Sequence, residues 1–198
     1  MVVAVGRQAE ISAESRARLI AATWELLAEG GSRAATVQAV AERANISRGS
    51  IAWHFGSKEG LLVAVVNSAF DMLCTRIAEV FDEAGSDGWA HLLSAEGVVL
   101  NDERFRIFGT LALEAISEPG PVADAFVDGH RRVLGLYADY ISEQGLVAPG
   151  VDPRDVAAAL RAMTMGLNIQ RRFDDEIISL DRAFGALRGM PPKKRTKR

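Results

Sequence analysis

The chain has 198 residues, is 48% hydrophobic and carries one cysteine and a net charge of −3, which allows a packed core in one unit or two small ones. A single cysteine, Cys74, excludes an internal disulfide and a cysteine-based zinc site and reads as a small hydrophobe on a helix. No uninterrupted apolar run nears the roughly 20 residues of a membrane span, and the N-terminus lacks the order of a signal peptide, so a soluble cytoplasmic protein with no membrane partner is expected. The mean charge hides a pattern: residues 1–60 carry 7 Lys/Arg against 6 Asp/Glu, 61–187 carry 10 against 20, and 188–198 carry 6 against none. An acidic body repels phosphate, so any DNA contact belongs to the N-terminal segment.

Apolar residues return at helical spacing throughout, and alternating strand patterns do not recur. Nine helices are predicted. The first spans Ser12–Glu29, with Ser12 as N-cap, a stripe of Ile20, Trp24 and Leu27, and Gly30-Gly31 as the stop. A short second helix, Val37–Ala44, follows the N-cap Thr36; Asn45-Ile46 makes a tight turn; a third runs from N-cap Ser47 to Phe55. The fourth is long, from Ser57 to about Glu83, burying Leu62, Val66, Phe70, Leu73, Ile77 and Phe81. After Gly85–Gly88 come Trp89–Leu100 and Glu103–Ser117, then a break at Pro119-Gly120-Pro121. The seventh helix is Val122–Gln144; the eighth starts behind the Asp152-Pro153 pair and reaches Phe173; the last is Leu180–Arg188. Residues 189–198 have nothing to bury and read as a disordered basic tail.

The second and third helices have the requirements of a helix-turn-helix. Ala41 and Ala44 allow close packing, Asn45-Ile46 keeps the turn tight, and Ile51 and Phe55 bury one side of the third helix. Such a helix enters the major groove N-terminus first. Its outward face carries Arg48, suited to guanine or phosphate, Gly49, which lets backbone approach closely, Ser50, and Trp53, with an indole N–H and an apolar face. His54 and Lys58 flank the helix where phosphate would lie, and Thr36 and Gln38 offer groups to the backbone at the start of the second helix. A generic helix pair with Trp53 in its core is the competing reading.

Residues 12–62 settle the choice by resemblance. The run Ile46-Ser-Arg-Gly-Ser-Ile, then His54-Phe55, Ser57-Lys58-Glu59 and Leu61-Leu62 resembles the recognition helix and following helix of the tetracycline-repressor (TetR) family. One departure stands out: the family usually has Tyr two residues before the His, and this chain has Ala52, so Trp53 is a candidate replacement. The resemblance implies an all-α fold in two domains, an N-terminal arm and three-helix DNA-binding domain (1–56) and a ligand-sensing and dimerisation domain (57–188). It also implies a pocket within helices four to eight, a dimer made mainly by the last two, and repression relieved by ligand.

The body's residues agree with that expectation. The eighth helix has two apolar faces, Val156, Leu160, Met163 and Leu167 on one, Ala159, Ala162, Gly166 and Ile169 on the other. Two faces need two partners, and small residues let helix axes approach. With Leu180, Ala183, Phe184 and Leu187 of the last helix, a four-helix bundle across a two-fold axis is expected; burial of both faces in one chain is the alternative. Trp89, Phe105, Phe108, Phe126, His130, Tyr137 and Met163 are the candidate lining of a pocket for a largely apolar effector, although a lone histidine and aromatics at helical spacing also fit a plain core.

The expected protein is therefore a homodimeric regulator that binds a near-palindromic double-stranded operator and an unidentified small molecule. A dimeric DNA binder whose body takes no ligand is the alternative. His54, His91 and His130 are scattered, and no phosphate-cradling glycine loop or nucleophile elbow occurs. No catalytic residue, metal site or cofactor is expected.

Overall fold

A computed structural model describes residues 2–83, 87–102, 105–170, 173, 174, 182, 183, 185 and 186. Eight helices are delimited: α1 Val2–Ala34, α2 Val37–Ala44, α3 Arg48–Phe55, α4 Lys58–Phe81, α5 Gly88–Asn101, α6 Arg106–Ser117, α7 Pro121–Glu143 and α8 Pro153–Gln170. There is no strand among the described residues. The count is one below the nine expected; of the ninth, residues 182, 183, 185 and 186 are helical, and Leu180, Phe184 and Leu187 lie outside the described residues. So does the basic tail.

The helix ends follow local chemistry. α1 starts ten residues before the expected Ser12 cap. Residues 2–11 contain no proline and several good helix formers, and an interior serine costs only a fraction of a kcal/mol (roughly 0.5), so the helix runs through it. Gly30 and Gly31 break the helical path with φ/ψ of −151°/20° and 67°/−162°. The Thr36 hydroxyl caps α2 by accepting from Ala39 N at 3.1 Å. Asn45 adopts φ 52°, the left-handed conformation in which a helix ends and the next can begin almost at once. Ser57 caps α4 through Gly60 N at 3.0 Å. Asp87 caps α5 through Ala90 N at 3.1 Å, and Asp152 accepts from Arg154 N at 2.8 Å at the start of α8.

α4 is the central post, packed along α7 and flanked by α5, α1 and α3. At 24 residues, with a mean hydropathy of 1.6 over its most apolar stretch, it does reach the length and composition of a membrane-crossing helix, contrary to the expectation above. Its apolar side chains are used inside the fold: Leu61, Val65, Val66, Ala69, Phe70, Leu73 and Ile77 are buried. Gly129 lets α7 and α4 approach closely, since a Cβ there would lie 2.1 Å from the Phe70 ring. One continuous apolar core runs from Leu19, Leu27 and Ile51 through α4 to Tyr137, Ile141 and Leu160.

The first three helices are also tied by polar contacts. Arg43 of α2 grips Glu29 of α1 with both terminal nitrogens, at 2.9 and 3.0 Å, and reaches Glu25 at 3.2 Å. That fork raises the Arg43 pKa and lowers that of Glu29. Arg18 donates to the Ala44 carbonyl, holding the end of α2 against α1.

Candidate nucleic-acid interface and ligand cavity

α3 is held from behind. Ile51 is buried, and Phe55 is covered by the Arg16 guanidinium, whose carbon lies 4.6 Å from the ring centroid. Arg16 also donates to the His54 carbonyl at 3.4 Å. Gly60 fixes the approach of α4, because a Cβ there would sit 2.1 Å from the Phe55 carbonyl oxygen.

The face left outward carries Arg48, Gly49 and Trp53, all exposed. Trp53 is 72% exposed, so the core reading of this residue fails. Its ring meets His54 edge-on at 4.4 Å. A Cβ built on Gly49 would meet only the Ser47 hydroxyl, at 4.0 Å, so no protein atom demands a glycine there. Ser47 occupies the expected cap position, but its hydroxyl pairs with that of Ser50 at 2.9 Å instead of bonding the helix backbone.

Three other candidates are already engaged. The Thr36 oxygen is the α2 cap. Gln38 donates its amide to Glu42 at 2.8 Å. Lys58, half-buried, donates to the Ser32 carbonyl at 3.2 Å and so ties α4 to the segment joining α1 and α2. Each retains a further donor, but Arg48 and Trp53 are the large side chains with no such tie among the described contacts.

A cavity of about 370 Å³ lies between α6, α7 and α8, with Phe70 of α4 as its inner wall. α6 contributes Phe108, Gly109, Ala112, Leu113 and Ala115; α7 contributes Ala123, Phe126, Val127 and His130; α8 contributes Arg161, Met165, Asn168 and Ile169. The rings of Phe70 and Phe108 are 4.6 Å apart, and Phe126 meets them at 5.7 and 6.1 Å, roughly at right angles.

Of the expected lining residues, Phe108, Phe126 and His130 are there. Trp89, Phe105, Tyr137 and Met163 are not. Phe105 is fully buried and stacks behind Phe108; Tyr137 is fully buried against Phe81, because α7 turns that face toward the lower half of α4. Trp89 and Met163 pack on the core from its margin. Ile169, expected at a dimer interface, lines the cavity.

Sequence reasoning missed Phe70, Arg161 and Asn168 as lining residues. Arg161 carries a legible signal: it is a lone charge on an apolar stretch of α8, as Glu96 is on α5. The two meet at 2.9 Å, with Arg161 4% exposed and Glu96 wholly buried. The buried face of α8 is thus Ala157, Leu160, Arg161, Thr164 and Leu167, rotated from the predicted stripe. Ala158, Ala159, Ala162 and Met165 are exposed, with Gly166 and Ile169 half-buried beside them, and Phe173 beyond is 86% exposed. Burial and the nearby Arg161 charge hold His130 below the usual imidazole pKa. Among the described residues, no group of three His, Cys, Asp or Glu is placed to hold a metal ion.

Residues 19–65 match the family described as bacterial regulatory proteins, tetR family. The chain is 32% identical over 162 residues to the HTH-type transcriptional regulator BetI 2 of Chromohalobacter salexigens, covering 77% of this chain and 74% of that protein. Its fold is similar to that of reduced Escherichia coli NemR (TM-score 0.76, 20% identity, 87% of this chain and 95% of that one). It is also similar to that of a transcriptional regulator from Saccharomonospora viridis solved with choline (TM-score 0.69, 24% identity, 89% and 94%).

Proposed function

The chain belongs to the TetR family of bacterial regulatory proteins, and we propose that it is a cytoplasmic homodimeric repressor that releases a near-palindromic operator on binding a small, largely apolar effector. The observation that carries the reading is Trp53, a large aromatic left 72% exposed on α3, where Arg48 is exposed too. Burying such a ring on a partner recovers apolar area that the monomer leaves in water.

In this reading, Arg48 reads a base edge or grips phosphate, Trp53 lies on sugar or a thymine methyl, and Gly49 admits the backbone. Ser50, His54, Lys58, Thr36 and Gln38 position the head on the phosphates. Residues 1–56 form the DNA-binding unit and 57–188 the sensing and dimerising unit. The exposed apolar stripe of α8 supports pairing of two copies, with the last helix alongside. Two heads then sit about 34–36 Å apart, one turn of duplex.

The effector site is the α6–α7–α8 cavity, at the lower end of the size range of ligand pockets. A neighbour of the same fold solved with choline supports a ligand-responsive body. The cavity is walled by Phe70 of α4, the helix that also starts against α3, so a ligand that favours one α4 position shifts the head spacing. A coupling of about 1–3 kcal/mol suffices, provided the ligand binds the two states unequally.

Fluorescence anisotropy of the purified protein on its own upstream intergenic DNA, across a salt series, tests the head. Specific binding of roughly 10⁻⁸ M or tighter is expected, with a loss of at least about a hundredfold in R48A/W53A at one or more kcal/mol per contact. Equal binding by that variant would remove α3 from the interface.

A further inference from the structure

We propose that the α6–α7–α8 cavity takes an uncharged ligand, an apolar and preferably aromatic body that carries one carbonyl-type acceptor oxygen at the Arg161 end. The proposal rests on this cavity being the effector site.

Arg161 lines the cavity while almost fully buried. Its guanidinium has five N–H donors; Nη1 donates to Glu96 Oε2 at 2.9 Å, and the guanidinium carbon lies 5.9 Å from the centre of the buried Tyr137 ring. Nε has no hydrogen-bond partner among the described residues, and neither have Glu96 Oε1 and the Tyr137 and Thr164 hydroxyls. Buried donors of this kind are normally satisfied, because leaving one bare costs its full desolvation. An acceptor oxygen brought by a ligand supplies what the fold leaves out.

The charge count decides which acceptor. Arg161 and Glu96 form a balanced pair, and among the described residues no Asp or Glu lines the cavity. An anionic ligand would add a third charge to that pair and leave one net charge buried, a large desolvation cost. A quaternary ammonium would be drawn to the faces of Phe70, Phe108 and Phe126. Yet it would stand beside the guanidinium with no carboxylate among the described lining residues to balance it. Burial, and after it the Arg161 charge, already disfavours a proton on His130, and the neutral ring, like Asn168, can donate or accept. An uncharged carbonyl meets the bare N–H without adding charge, and the rings enclose the rest. The ligand chemistry thus differs from the choline of the neighbouring structure.

Calorimetric titration of the full-length protein with probes sharing one phenylethyl body tests this. The probes are 4-phenylbutan-2-one, 3-phenylpropanoate, trimethyl(2-phenylethyl)ammonium and butylbenzene. The ketone is expected to bind at least tenfold more tightly than either ion. Arg161→Met alone would strand Glu96, so the variant used is the double Arg161→Met/Glu96→Gln, its folding followed by thermal melting. There the ketone is expected to lose its advantage over butylbenzene, whose own affinity holds. If the double variant does not fold, the probe series on the parent protein still decides. Either ion binding as tightly as the ketone would overturn the uncharged assignment and leave the effector site standing. If no probe binds, butylbenzene included, both readings fall.

Discussion

The first three helices and the body share one continuous apolar core, yet their candidate functional residues occupy opposite environments. Trp53 of the head is 72% exposed, and Arg161 of the body is 4% exposed. In the head, a tight turn and a buried Ile51 leave an outward face whose occupants follow from helical spacing alone. In the body, the chemistry depends on which helices meet, because Arg161 acquires its partner Glu96 from 65 residues away. A surface site tolerates substitution without loss of fold, whereas a site built from buried groups ties ligand binding to stability.

Six substitutions sharpen that contrast. The largest effect is expected from Ala162→Glu on the exposed α8 stripe. Sedimentation should show a monomer, and operator affinity should fall by about 10²–10⁴ as the second half-site contact is lost. A dimer that persists would place the interface elsewhere.

Breaking the buried pair comes next. Glu96→Ala leaves Arg161 buried and unpaired and should cost about 3–5 kcal/mol in denaturant unfolding. Arg76→Ala, which breaks the exposed Arg76–Glu79 pair at 2.8 Å, should cost less than about 1 kcal/mol. Similar costs would mean that water reaches the Glu96 site in solution.

Two glycines test how α4 is gripped on each side. Gly60→Ala forces a methyl onto the Phe55 carbonyl, and Gly129→Ala forces one onto the Phe70 ring. Each should cost about 1–3 kcal/mol by overpacking. The Gly60 change should be the greater in thermal melting, because a backbone carbonyl has less room to give than a ring. Gly129→Ala should also weaken ketone binding, since Phe70 walls the cavity; an unchanged affinity would detach that ring from the site.

A small effect is expected at Thr36→Ala, which removes the α2 cap at a cost of about 1 kcal/mol. A loss of operator affinity larger than the stability change would show that Thr36 also meets phosphate.

The helical class, the ends of α2 and α3, the Gly30-Gly31 break and the outward placement of Arg48, Gly49 and Trp53 were all legible before the fold was known. Each is set by neighbours a few residues away: a cap, a left-handed Asn45, an i, i+3, i+4 stripe. Periodicity was a poorer guide on α8, where an arginine counted as polar lies on the buried face. It also placed Tyr137 at the cavity when α7 turns it toward Phe81.

By itself the sequence determined the helix pair, its family resemblance and the segregation of charge that sets an acidic body between a near-neutral N-terminal segment and a basic C-terminal one, because these depend on local spacing and counting. Only the tertiary structure decided that Phe70, Arg161 and Asn168 join His130 around one cavity, and that Arg161 enters it already neutralised by Glu96. The reason is physical: a buried charge is compatible with the fold only through its partner, and partners from α5 and α8 come together only when the helices pack.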